Sequence, residues 1–118
     1  MKRILLIEDD PTMRFLLKTL LQMEGFQADI CMAEAMDDIL TMITSMQPQI
    51  ILLDAHLASA SGLEIMKQIR VLDPDRSMRV LMTSGMELSD QSKAAGADDF
   101  ILKPFMPDEL IQKVNALA

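Results

Sequence analysis

Asp54 ends the apolar run Ile50-Ile51-Leu52-Leu53, and an earlier run, Ile4-Leu5-Leu6-Ile7, ends in three acids, Glu8-Asp9-Asp10. Near the far end of the chain, Leu102 is followed by Lys103-Pro104. Continuous apolar runs of this kind read as strands of a parallel sheet buried on both faces. An open parallel sheet presents its functional groups at the carboxyl ends of its strands. If the three runs lie side by side, two or three carboxylates and one ammonium meet in one crevice. Two carboxylates ~4 Å apart repel by about 4 kcal/mol at an effective dielectric of ~20, so such a cluster needs a cation or a proton. Oxygen-only ligands in a small acidic crevice suit Mg²⁺, which keeps several waters and accepts a phosphate oxygen. The Asp54 carboxylate could then act as a nucleophile on a phosphoryl group, with Lys103 balancing charge on the transferred oxygens. The pattern is that of a phospho-accepting site.

The elements that must position these groups alternate from end to end. A strand over 3–8 leads to a helix capped by Asp10, with Pro11 at its first position. Met13, Leu16, Leu17, Leu20 and Leu21 form its inner face, and Gly25 stops it. A strand over 27–32, with Ala28, Ile30 and Met32 alternating against polar neighbours, suits a sheet edge. A helix over 34–46 uses Ala35, Ile39, Met42, Ile43 and Met46, and Pro48 prevents its extension. The third strand is 49–54. Ser61 caps a helix with Ile65, Met66, Ile69 and Leu72 facing in, and Asp73-Pro74-Asp75 turns the chain into a strand over 80–84. A short, weakly periodic helix near 88–95 ends at Gly96, before a strand over 99–102. The last helix starts at Pro107, with Asp108 and Glu109 in its first turn and Leu110, Ile111, Val114 and Leu117 inside. Five parallel strands alternating with five helices imply a three-layer, doubly wound open α/β sheet with a short fourth helix.

Composition narrows the function. The 118 residues suffice for one domain over 1–118, and half of them are hydrophobic. No apolar stretch approaches the ~20 residues of a membrane span, and no targeting segment is visible. One cysteine, Cys31, cannot form an internal disulfide, fits a reducing, cytoplasmic setting, and reads as a small buried hydrophobe. A net charge of −7 without a basic stripe argues against direct nucleic-acid binding. Asp37-Asp38 and Asp98-Asp99 read as solvated faces or loop ends. The twelve methionines read mainly as core filling.

The strand-end residues carry a resemblance over essentially the whole chain. Leu6-Ile7-Glu8-Asp9-Asp10-Pro11 with Arg14, Ile51-Leu52-Leu53-Asp54 with Gly62, Met82-Thr83-Ser84-Gly85 and Gly96-Ala97-Asp98-Asp99-Phe100-Ile101-Leu102-Lys103-Pro104-Phe105 resemble the receiver domain of two-component response regulators. Each motif alone is weak; four in order, on the right strand ends, are strong. The resemblance implies that Asp54 is the phospho-acceptor, Asp9 a direct Mg²⁺ ligand (Mn²⁺ being an alternative ion) and Glu8 a ligand through water. The backbone carbonyl of His56 falls where the family supplies another metal ligand. Ser84 matches the hydroxyl that bonds the phosphoryl group, Lys103 the phosphate-pairing lysine, and Phe100 the aromatic switch. It further implies a sensor histidine kinase or histidine phosphotransfer protein as donor, and a separate downstream protein as target. The resemblance implies a switch that takes part in its own phosphorylation and dephosphorylation, not a turnover enzyme.

Two departures bear on output. Leu57-Ala58 stands where the family often has a Met-Pro or Leu-Pro pair, so the loop after Asp54 is expected to be less rigid. The stretch from Ser84 to Lys103 is about one helical turn short, ~3–4 residues. No output domain is expected in this chain, and the phosphorylated form is expected to stay monomeric or weakly dimeric, using Phe100, Phe105 and the last helix as its contact surface. The alternative is a pseudo-receiver that binds partners without phosphorylation. A haloacid-dehalogenase-type phosphatase would place a second aspartate where His56 stands, and would need cap elements that this length cannot hold. Gly25, Gly62, Gly85 and Gly96 form no phosphate-cradling cluster, which argues against a nucleotide- or flavin-binding domain.

Overall fold

In the computed structural model, which describes residues 2–118, the chain alternates strand and helix throughout. The elements are β1 (Arg3–Ile7), α1 (Pro11–Met23), β2 (Gln27–Ile30), α2 (Met36–Met46), β3 (Ile50–Asp54), α3 (Gly62–Leu72), β4 (Arg79–Ser84), α4 (Ser89–Ala94), β5 (Asp99–Leu102) and α5 (Pro107–Leu117). All strand pairs are parallel, in the order β2-β1-β3-β4-β5. The strand order reverses between β1 and β3, and ligands of such sheets bind beyond the strand ends at that reversal.

Why the strand runs are continuously apolar is visible in the packing. Leu5, Ile7, Ile51, Leu53, Val80, Met82 and Phe100 face one layer with Ile39, Ile43, Ile65, Met66 and Ile69 of α2 and α3. Ile4, Leu6, Ile50, Leu52, Leu81 and Ile101 face the other, with Leu17 and Leu21 of α1 and Leu110 and Val114 of α5. A period of two thus buries both faces at once. Helix starts follow local chemistry. The Asp10 carboxylate accepts from the Met13 amide at 2.8 Å, and Ser61 Oγ accepts from Glu64 N at 3.4 Å.

Several expected details differ. Leu16 is 44 % exposed, because it lies about 100° around the helix from Leu17, while Leu17 and Leu21 point at the sheet. Leu72 is 52 % exposed; as the last residue of α3 it lines a surface groove with Thr44 instead of entering the core. Strand β2 stops at Ile30 and α2 begins at Met36, two residues short of and two residues beyond the expected bounds of 32 and 34. Cys31 N still donates to Leu6 O, but the chain then leaves the sheet, so Met32 is exposed and Cys31 buried. Ala35 is exposed at the N-cap of α2 and does not reach the core.

The largest difference concerns Asp98. Its carboxylate is buried and binds Arg70 at 2.7 Å, Arg76 at 3.1 Å, Arg79 at 3.4 Å and the Val80 amide at 2.7 Å. This cluster joins the end of α3 to the starts of β4 and β5. Gly96, at φ +111°, belongs to the same arrangement: a Cβ there would lie 2.4 Å from Arg70 Cγ. α4 has only six residues, as the short Ser84–Lys103 stretch implies.

Candidate metal and phospho-acceptor centre

Register brings the chemistry together. Ile7 pairs with Leu53, so Glu8 and Asp9 follow β1 beside Asp54, the last residue of β3. Asp54 pairs with Thr83, Ser84 pairs with Leu102, and Lys103 comes next. Carboxylate oxygens of Glu8, Asp9 and Asp54 lie within 4.8 Å of one another. Lys103 Nζ reaches Glu8 Oε1 at 2.8 Å and Asp54 Oδ2 at 3.3 Å. Four residues from three strand ends, up to 95 positions apart in sequence, therefore share one crevice.

The local backbone holds these groups in place. The α3 start packs so tightly on the end of β3 that a Cβ on Gly62 would lie 2.1 Å from Asp54 O, so any other residue would force the backbone to shift. The His56 amide donates to Asp54 Oδ1 at 3.0 Å, and the Asp9 amide to Glu8 Oε2 at 3.0 Å. Arg14 Nε donates to the Glu8 backbone carbonyl. The Lys103–Pro104 peptide is cis.

Electrostatics match the crowding. Glu8 is raised from 4.5 to about 7, first by burial and then by its approach to Asp54, against the pull of Lys103. Burial alone would lower Lys103, but Glu8 and Asp54 outweigh it and raise the ammonium above its ordinary value. One cation thus serves two buried acids while Asp9 stands exposed beside them. The donor set is all oxygen, anionic and close-spaced, which fits a hard divalent cation such as Mg²⁺.

Ser84 is fully buried at the end of β4, and its Oγ accepts from the Met86 amide at 2.9 Å. Phe100 is 7 % exposed and packs in the α2–α3 layer. Its ring would have to turn outward to join a contact surface. The His56 side chain is exposed, as a loop histidine should be, and its backbone forms a bridge with Ser61.

The loop after Asp54 is tied down, contrary to the looseness expected of Leu57-Ala58. Besides the His56 contact, Ala58 N donates to Asp9 Oδ2 at 2.6 Å, Ser59 Oγ to Glu34 O at 2.8 Å, and Gly62 N to Ala55 O at 3.0 Å. Two of these donors, His56 N and Ala58 N, bind acids of the centre directly. Backbone amides leave no mark in a sequence, and only the loop geometry reveals them.

The model of the family described as the response regulator receiver domain matches residues 4–115. The DNA-binding response regulator MtrA of Mycolicibacterium smegmatis is 33% identical over 98% of this chain and 50% of its own length. The phosphate regulon transcriptional regulatory protein PhoB of Escherichia coli is 34% identical over 98% of this chain and 51% of its own. The chain spans about half the length of these curated relatives. Among solved structures, the response regulator TrrA of Thermotoga maritima, in complex with Mg²⁺–BeF, superposes with a TM-score of 0.86 at 36% identity, over 100% of both chains.

Proposed function

The chain belongs to the response regulator receiver domain family, and we propose that it is a Mg²⁺-dependent phospho-accepting switch of a two-component relay. The donor is a phosphohistidine on a sensor kinase or phosphotransfer protein. An oxygen of Asp54 forms the new O–P bond while the P–N bond to the donor imidazole breaks. The imidazole nitrogen keeps the electron pair and takes up a proton. The observation that carries this reading is the convergence of Glu8, Asp9, Asp54 and Lys103 at one set of strand ends. The Mg²⁺–BeF complex of the related TrrA supports the same ion here.

Glu8, Asp9 and Asp54, with the backbone carbonyl of His56, would hold the ion. When bound, Mg²⁺ supplies positive charge against the acids and the phosphoryl oxygens. The other roles fall to the chain itself. Lys103, already between Glu8 and Asp54, shifts toward the transferred oxygens, where its charge counters the charge that develops. Ser84 Oγ turns from the Met86 amide to a phosphoryl oxygen, and Phe100, without a hydroxyl, responds by steric fit alone. The switched surface near β4 and β5 then binds a separate protein, which can shift the active state only by its differential affinity for it. With α4 so short, little helix remains to build a dimer face, and the phosphorylated form stays monomeric or weakly dimeric.

Amide NMR tests the switch. Mg²⁺ should move signals at Glu8–Asp10 and Asp54–Leu57, and beryllofluoride should add Ser84–Met86 and Phe100–Lys103. A beryllofluoride titration that leaves Ser84 and Phe100 untouched would mean a domain that binds metal without switching.

A further inference from the structure

The shortest contact between the β3–α3 loop and the acidic centre is the 2.6 Å hydrogen bond from Ala58 N to Asp9 Oδ2, across 49 residues of sequence. Asp9 is the exposed member of the acid cluster, while Glu8 and Asp54 are buried and share Lys103. An exposed aspartate without a partner rotates freely into water. Here one oxygen is held by an amide, and an Asp9 oxygen lies within 4.8 Å of the Glu8 and Asp54 oxygens. The amide is itself well placed, since His56 N on Asp54 and Ser59 Oγ on Glu34 O anchor the loop on either side of it. A proline at this position has no N–H and could not make the bond.

We propose that the backbone N–H of Ala58 is a positioning donor for Asp9, holding its carboxylate toward the crevice so that Mg²⁺ meets a prearranged ligand. The inference rests on the metal-site reading above and goes beyond it by assigning a role to a residue whose side chain is a single methyl. Groups that hydrogen-bond a metal ligand orient it, and losing one weakens metal binding about 10–100-fold. For an exposed ligand the lower end of that range applies.

The test has two arms, neither of which reads phosphorylation. In metal-free protein, amide exchange at Ala58 should be about fivefold slower in the wild type than in Asp9→Ala, the equivalent of a hydrogen bond worth about 1 kcal/mol. In Mg²⁺ titrations followed by amide shifts, Ala58→Pro should bind about tenfold more weakly. Ala58→Gly, which keeps the N–H, should recover most of that loss. Ala58→Pro binding as tightly as the wild type, or more tightly, overturns the positioning role alone. Ala58→Gly falling as far as Ala58→Pro also overturns it, because the loop backbone rather than the donor would then be responsible. A wild type with no saturable Mg²⁺ shift overturns the metal-site reading and this inference together. If Ala58→Pro does not fold, the exchange arm decides: equal Ala58 exchange in the wild type and Asp9→Ala refutes the bond.

Discussion

Glu8→Gln should make the metal-free protein more stable at pH 8 and leave it almost unchanged at pH 5. Glu8 is buried and raised from 4.5 to about 7. Between those values the folded state holds a proton that the unfolded chain has released, so stability falls as pH rises through that window. At about 1.4 kcal/mol per tenfold, the full difference is about 3 kcal/mol. Glutamine mimics the protonated acid but loses the charge that faces Lys103 at 2.8 Å, so a gain of about 1–3 kcal/mol at pH 8 is expected. Lys103 does not blur the window. Its raised ammonium contributes stability that is complete below its ordinary pKa and is lost only at still higher pH. The assay is urea unfolding in excess chelator from pH 5 to 8, read as the difference between the two proteins, so that other carboxylates cancel. Mg²⁺ should then stabilise the wild type at pH 8 more than the variant, because it binds the folded state with one more charged ligand. A difference that stays flat between pH 5 and 8, or a variant less stable at pH 8, would refute the claim that the metal-free centre holds more negative charge than Lys103 offsets.

Gly62→Ala should destabilise the fold by about 1–3 kcal/mol in chemical denaturation, because the added Cβ meets the Asp54 carbonyl 2.1 Å away; an unchanged midpoint would show that α3 can slide. Asp98→Ala leaves the mostly buried Arg70 without its closest carboxylate, and the loss should be about 3 kcal/mol or more by urea unfolding; a loss under about 1 kcal/mol would reduce the cluster to surface pairing. Ser84→Ala should keep the Mg²⁺-induced shifts at Glu8–Asp10 yet lose the beryllofluoride response at Phe100, and a retained response would separate the ring from the hydroxyl.

Much of this centre was legible in the chain because its logic is local. Apolar runs ending in Glu8-Asp9, Asp54 and Lys103 place charge at strand ends, and two-sided burial follows from the absence of alternation within the runs. Asp10-Pro11 and Ser61 announce helix starts through their own side chains. What escaped depends on distance or on backbone. Asp98 looks like a loop acid because Arg70, Arg76 and Arg79 lie 28, 22 and 19 residues away, and only folding brings them onto one carboxylate. Leu16 shares the apolar pattern of its helix yet faces outward, because about 100° of helix rotation separates it from Leu17, a step too fine for the spacing to show. The loop after Asp54 was expected to be loose from its side chains, whereas its order comes from the amides of His56 and Ala58.

The most direct test of the central claim is intact-mass spectrometry after incubation with acetyl phosphate and Mg²⁺, followed by peptide mapping. The wild type should gain one phosphoryl group, on the peptide that contains Asp54, and none in excess chelator; Asp54→Ala should gain none under either condition. Phosphate incorporated by Asp54→Ala, incorporation undiminished by chelator, or a folded wild type that takes up no phosphate at all would contradict it.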